Sequence, residues 1–474
     1  MEVIDKQENG TQETADASLL NAPNASNSQS QSKGSSILGS DLNESLEQSL
    51  ASKSLSSGAF NSASPSEPTD NHDHAPTTNG QITHMSLDGV QPTKTLNASR
   101  GSNAKSGFEL LRQLGGNPGD ILNPGGGKNT VIGSGKSDII FGDGEGFNTI
   151  TTGSGTDAIV FGKETTNRIF DFDPGKDKIV LTDGLNPRNI ILTQGKNPGK
   201  GGLDQPTDSM NNALILDKVG GHILGALTFT KSESLSEKNF VTVDSKISDF
   251  VKNDSRIAAG FKTQQGNGQL NGTLGKDKLV GGGGDDFLYV GDDGFRVGTA
   301  TGSGTREFPF PNTSPGTSEA TAELKGGTLR INGKYQNFDA APLFSQGEKT
   351  IDPKATILNG SDPQALIDGF LKVPRDTEGN QLSGTHMHFS PSEDSRGNFA
   401  DATVIRYLKE TPTDAKSGTI SGEFKLNSEE QASFLAGNLY MNLHTNVDGD
   451  GDGKAGFPTG ENRLNFNQNV VKFV

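Results

Sequence analysis

Two consecutive nine-residue units constrain this chain more than any other stretch: Gly272-Thr-Leu-Gly-Lys-Asp-Lys-Leu-Val280 and Gly281-Gly-Gly-Gly-Asp-Asp-Phe-Leu-Tyr289. Both read G-x-x-G-x-D-x-U-x, with U a large aliphatic residue. The glycines allow a tight six-residue turn with positive φ and leave backbone carbonyls exposed. The aspartate adds a hard carboxylate, and the short strand that follows points Leu279 or Leu288 inward. Two such units cannot bury a core, since stacked repeats need roughly three or more copies.

Degenerate copies supply the rest. Leu270 lies nine residues before Leu279, and Val297 nine after Leu288. Upstream, a second ladder keeps the D-x-U offset at Asp120/Leu122, Asn129/Val131, Asp138/Ile140, Asn148/Ile150 and Asp157/Ile159, and Asn167/Ile169 and Asp177/Ile179 extend it. Oxygen ligands suit calcium, so Asp277, Asp285, Asp286, Asp120, Asp138 and Asp157 are candidate calcium ligands. Asparagine at alternate rungs removes a charge and weakens calcium there. The competing reading is a metal-free, glycine-rich β-solenoid. The units resemble the calcium-binding nonapeptide repeat of the RTX, or haemolysin-type, parallel β-roll. That resemblance implies export by a one-step exporter with an uncleaved C-terminal signal.

Composition agrees with a solenoid. Glycine numbers 63 of 474 residues, hydrophobic residues make up only 30%, and the formal net charge is −16. Such acidity argues against a nucleic-acid partner. With no cysteine, disulfides and thiolate metal sites are excluded. No run reaches the ~18 apolar residues of a membrane span. The N-terminus lacks the basic and apolar regions of a cleavable signal peptide, so export would use another route.

In chain order, residues 1–105 are rich in Ser, Asn, Thr, Gln and Asp without apolar periodicity, and they read as a disordered tail. His72 and His74 lie there, as solvated residues. Residues 106–246 read as a degenerate β-roll closed by a hairpin on Gly220-Gly221, with His222 an ordinary surface histidine. Asp171, Asp173 and Asp177 form either a further calcium site or a turn. Residues 247–298 hold the second nonapeptide block, and the spacing leaves open whether the two blocks form one roll.

Residues 299–474 alternate as strands of an antiparallel β-sandwich, interrupted by a short helix with a capping box at Ser428-Glu-Glu-Gln431 and ended by Gly437. The segments Leu382–His388, Gly437–Thr445 and Gly460-Glu-Asn-Arg463 resemble the CHRD (chordin) domain. Phe389 stands where that family has glycine after its second histidine, and an acidic insert separates His444 from Gly460. The family resemblance implies an extracellular setting, in bacteria (a cyanobacterial-like exported protein), without a defined mechanism. His386 and His388 share one strand face; if the strand bearing His444 pairs with theirs, three imidazoles are candidates for a zinc or copper site. The insert, Asp448-Gly-Asp-Gly-Asp452 with Gly453, matches the first half of an EF-hand-type loop. Asp448, Asp450 and Asp452 are therefore calcium candidates, with Glu461 in place of the missing bidentate glutamate.

The chain thus reads as mostly β: a disordered N-terminal tail, parallel β-roll-like calcium-binding segments and a C-terminal antiparallel β-sandwich. The expected role is an extracellular or cell-surface calcium-binding protein, not an enzyme. Its expected partners are matrix or cell-surface proteins or polysaccharides. The alternative is a zinc or copper enzyme built on the histidines, against which counts the lack of an obvious general base or nucleophile beside them; Glu393 and Asp394 lie close in sequence, but on a loop.

Overall fold

A computed structural model of the chain describes residues 82–96 except 89, 101–102, 118–243 except 183–184, 198–202 and 204, and 255–290. It also describes 295–296, 298–307, 311–339, 366–367, 370–371, 384–389, 404–414, 416–445 and 460–471. All of these belong to one unit, His72–Val474. The features expected at residues 1–81, at Val297 and at Asp448, Asp450 and Asp452 lie outside the described residues.

The Asp/Asn–x–aliphatic ladder folds as a parallel β-solenoid with two sheet faces. On the first face the parallel neighbours are Gln269–Asn271, Phe287–Tyr289, Gly127–Ile132, Gly146–Thr151, Thr165–Ile169 and His222–Leu227. Antiparallel strands Ala213–Asp217, Ile190–Gln194 and Lys94–Thr95 extend that face. On the second face Lys262–Gln265, Asp277–Val280, Pro118–Asn123, Ser137–Gly142, Ala158–Phe161, Lys178–Leu181, Phe240–Val243 and Gly101–Ser102 run parallel throughout.

Successive nine-residue steps therefore fall on opposite faces, and one full turn spans two of them. Inside, Leu122, Ile140, Ile159 and Ile179 from one face meet Val131, Ile150 and Ile169 from the other, all fully buried. Each such side chain contributes about 1.5–3 kcal/mol by leaving water. Leu279 and Leu288 join the same core. The two blocks are one roll, and the later block stacks before the earlier one: Leu279 pairs with Leu122 and Leu288 with Val131.

Stacking is close enough to dictate glycine. A Cβ on Gly153, whose φ is +92°, would stand 2.0 Å from the Ser134 carbonyl oxygen one turn away. At the other end of the roll the expected hairpin forms, its turn carried by Gly220 and Gly221 at positive φ.

Two expectations need correcting. The unstructured stretch does not run to residue 105: Thr83, Met85 and Leu96 are buried, and Lys94–Thr95 pairs with Ile190–Gln194. Met85 seals an apolar cluster of Ile191, Leu214, Leu216, Ile223 and Ala226 on the outer side of the hairpin. His222, expected at the surface, is only 6% exposed because this segment lies over it.

Among the described residues the C-terminal domain is built on one large antiparallel sheet, with Phe295–Arg296 pairing off its path against Thr317–Lys325 and Leu366–Ile367 forming a separate pair with Phe370–Leu371. The strand order of the large sheet is Val404–Tyr407, Thr385–Phe389, Leu439–Leu443, Asn462–Phe466, Ala300–Ser303, Thr317–Lys325, Thr328–Gln336, Ser417–Lys425 and Lys409–Asp414. The first and last strands are consecutive in the chain, separated by Leu408, so the sheet curls until its edges meet. The expected sandwich is built this way, from one curled sheet around Met387, Phe389, Met441, Leu443, Leu464 and Phe466.

The helix Ser428–Leu435 is capped by Asn427, one residue earlier than the sequence suggests. Asn427 and Glu430 exchange side-chain-to-backbone bonds, and Gly437 at φ +75° follows the helix end. This helix joins the domain to the roll. Glu429 pairs with Lys128 and Arg168, each at 3.1 Å, and the Thr151 hydroxyl donates to the Ala432 carbonyl at 2.6 Å. Ile132 and Phe170 of the roll belong to the domain's own core.

Candidate functional site

Opposite faces of the roll carry different polar ladders. On the second face five aspartates form a column. The Asp277 amide donates to Asp120, Asp120 to Asp138 and Asp138 to Asp157, each at 2.7 Å, and Asp157 to Asp177 at 3.0 Å. Strand spacing puts successive rungs about 4.8 Å apart. Asp120, Asp138, Asp157 and Asp277 are fully buried. On the first face Asp286 is followed by asparagines. Its amide donates to Asn129, whose side-chain amide donates to Asn148 at 3.0 Å, and Asn148 donates to Asn167 at 2.9 Å. The asparagines satisfy one another as donor and acceptor, which carboxylates cannot do. The alternation read from sequence as weakened rungs is two separate ladders.

Charge accumulates in the aspartate column. Burial, then the neighbouring Asp120, pushes Asp138 up to about 7. Burial, with Asp171 and Asp173 adding to it, raises Asp177 to about 7. Asp157 is raised well above the ordinary range by burial and by Asp138 and Asp177, and burial raises Asp120 as well. Lys136 pairs with the column 3.4 Å from Asp120, one rung in from the Asp277 end.

Carboxylate oxygens are the donors calcium takes, but most of these are engaged. Asp138, Asp177 and Asp286 receive backbone N–H groups on both oxygens. Asp277 accepts the amide and hydroxyl of Thr273, and exposed Asp285 accepts the Lys128 amide. Asp157 differs: one oxygen accepts the Asp138 amide, while Oδ2 is buried without a hydrogen-bond partner. It alone in the column keeps a free oxygen that a cation would satisfy. Asp173 closes a turn, its carboxylate accepting the Gly175 amide and its carbonyl the Asp177 amide.

In the C-terminal domain, one side of strands Thr385–Phe389, Leu439–Leu443 and Asn462–Phe466 faces the apolar core. The other carries His386 and His388, Tyr440 and Asn442, Arg463 and Asn465, all buried. The strands pair, and the three imidazoles do come together. His386 lies 4.8 Å from His388 and 4.9 Å from His444, ring centre to ring centre. Tyr440 stacks on His388 at 4.5 Å. Even so, among the described residues no three His, Asp or Glu side chains stand in metal-holding geometry.

Sequence reasoning gave Arg463 no role, yet it organises this face. It is 1% exposed, donates to Asn442 at 2.9 Å and lies over the Tyr440 ring at 4.0 Å. Glu307 approaches it at 3.8 Å. Glu461, the proposed substitute calcium ligand, is buried and accepts the Ser314 hydroxyl, the Asp339 amide and the Thr445 hydroxyl.

Residues 298–452 match the family model of the CHRD domain, so the chain carries that domain, and the Arg463 strand lies just beyond the matched segment. No curated protein matches the chain, and no solved structure does. Among the described residues no helix is long and apolar enough to cross a membrane.

Proposed function

We propose that the chain is an exported, calcium-binding, non-enzymatic protein of a cell surface or extracellular matrix, in which the roll is the scaffold and the CHRD domain the contact module. The observation that carries this reading is the aspartate column and, within it, the unpartnered, buried Oδ2 of Asp157. Stacked like charges in a low-dielectric interior are costly, and either protons or a cation relieve them. Calcium supplies oxygen-seeking positive charge, and the free Oδ2 of Asp157 is where it would be held. Calcium binding would then become folding energy, coupling assembly of the roll to a calcium-rich exterior. A rigid roll sharing its core with the CHRD domain suits presentation of that domain to a surface protein or polysaccharide.

The test is thermal unfolding at pH 8 in excess calcium and in chelator, with bound calcium measured after dialysis. The reading expects retained calcium and a higher midpoint in its presence, both lost in Asp157→Asn. Equal midpoints and no retained calcium would remove it.

A second reading, a zinc or copper centre at His386, His388 and His444, is favoured only by the convergence of their rings. It expects stoichiometric zinc or copper binding that His386→Ala abolishes. Unchanged binding in that variant would dispose of it.

A further inference from the structure

His84 and His222 come from distant parts of the chain, yet their backbones form an isolated antiparallel bridge. The Ile223 amide donates to the Thr83 carbonyl at 2.9 Å and the Met85 amide to the Gly221 carbonyl at 3.0 Å. Residues paired in this way place their side chains on one face, and the two rings lie 5.3 Å apart, tilted by 34°. On the other side of His222, strand pairing places Asp217 opposite it. Lys163 and Glu164 also face this histidine, the first through its backbone and the second through its charge.

The ring nitrogens are not equivalent. His84 Nδ1 bonds the Gly220 carbonyl at 3.1 Å. The Nε2 of His222 is buried without a partner. A neutral imidazole that donates from Nδ1 keeps its lone pair on Nε2. A carbonyl on the rear nitrogen is also how metal-binding histidines are oriented. In an ordinary packed histidine pair the buried Nε2 of a residue only 6% exposed would find a donor; here it finds none. Two imidazoles on one tetrahedral ion, with metal–nitrogen bonds of about 2 Å, have ring centres about 5 Å apart. The observed separation suits that arrangement.

We propose that His84 and His222 hold one divalent transition ion of the zinc class through their Nε2 atoms, and that the ion staples the segment Ile82–Leu96 to the hairpin. No third His, Asp or Glu among the described residues already stands in ligating geometry. Water, or a carboxylate of Asp217 or Glu164 turned inward, completes the shell, and the affinity is modest accordingly. The staple closes Met85 over its apolar cluster, so the ion governs whether that face is covered. This site is independent of the calcium reading, being in a different part of the roll and using different donor atoms.

The experiment is amide hydrogen exchange on the full chain in calcium buffer, with chelator or with added zinc, read at Met85 and Ile223. Zinc is expected to slow both amides by about tenfold, as local opening becomes coupled to ion release. His84→Gln, at an exposed position, keeps the fold and loses the zinc effect. His386→Ala keeps it. Unchanged exchange on adding zinc, equal slowing in His84→Gln, or loss of the effect in His386→Ala would each overturn the staple.

Discussion

The backbone amide of Asp277 donates to the carboxylate of Asp120 at 2.7 Å, across a sequence separation of 157 residues. That one bond joins the later nonapeptide block to the start of the earlier ladder and continues the column without a break. The roll is therefore assembled out of chain order. Its first spatial turns, Lys262–Asn271 and Asp277–Tyr289, are made after the last turns have been synthesised. Pairings of this separation close large loops and form late in folding, so completion of the roll waits for residues up to Tyr289.

The aspartate column makes stability fall as pH rises. A carboxyl whose folded value is above its unfolded one binds more protons in the folded state between the two values, so unfolding becomes easier as pH climbs through that interval. Asp138 and Asp177 rise from an ordinary 3.8 to about 7, which sets the window from about pH 4 to about pH 7. In chelator, denaturant titrations should show the protein more stable at pH 5 than at pH 8, by a few kcal/mol at most. Asp157→Asn should flatten this dependence by removing the charge between the two. A flat profile in the parent protein would show the column to be relieved in some other way.

The asparagine ladder predicts the opposite sensitivity. Asn148 both accepts from Asn129 and donates to Asn167. Asn148→Asp removes the donor and buries a charge, leaving the Asn167 oxygen without its side-chain donor. The expected loss is about 2–4 kcal/mol, measured by chemical denaturation at pH 8. Acidification through the carboxyl's raised value should recover part of it, because a protonated carboxyl donates again. A loss below about 0.5 kcal/mol would mean the ladder is not a stabilising network.

Some of this was legible and some was not. The D-x-U spacing placed every inward aliphatic from Leu122 to Ile179 correctly, because alternation within a strand is local physics. It did not reveal that nine residues make half a turn, so Asp138 and Asn148 looked like strong and weak versions of one site when they belong to different faces. Nor does a parallel register specify which repeat stacks on which, and the position of Leu279 beside Leu122 was invisible. His222 was misread because the segment that covers it, around His84 and Met85, has no periodic signal. The histidine trio was recoverable from the H-x-H pattern, since one strand pairing suffices to bring His386 and His444 together.

Close stacking makes one glycine far more sensitive than another of similar backbone. Gly153 and Gly220 both have positive φ, +92° and +88°, but a Cβ on Gly220 meets nothing within 4 Å. Gly220→Ala should cost about 1 kcal/mol, from conformation alone. Gly153→Ala adds a clash with the Ser134 carbonyl and should cost about 3 kcal/mol or prevent folding of the roll. Comparing the two variants by thermal unfolding separates strain from packing. Similar losses would argue that the turns are looser than their spacing indicates.

Glu429 tests whether the roll and the CHRD domain act as one body. Burial raises its carboxyl, but Arg168 and Lys128 outweigh burial and hold it below the ordinary carboxylate value. Arg168 is 5% exposed and also bonds the Thr149 hydroxyl and the Leu203 carbonyl, so it cannot swing to water when its partner is lost. Glu429→Gln should therefore destabilise by about 1–3 kcal/mol, more than an exposed pair would. A double-mutant cycle with Arg168→Met should return a coupling of at least about 1 kcal/mol. The parent chain should unfold in one transition, because Ile132 and Phe170 of the roll sit in the domain's core. Glu429→Gln should lower the midpoint of that transition as a whole. If the variant instead leaves the roll's midpoint untouched and lowers only the domain's, the junction is a contact between two independently folding parts.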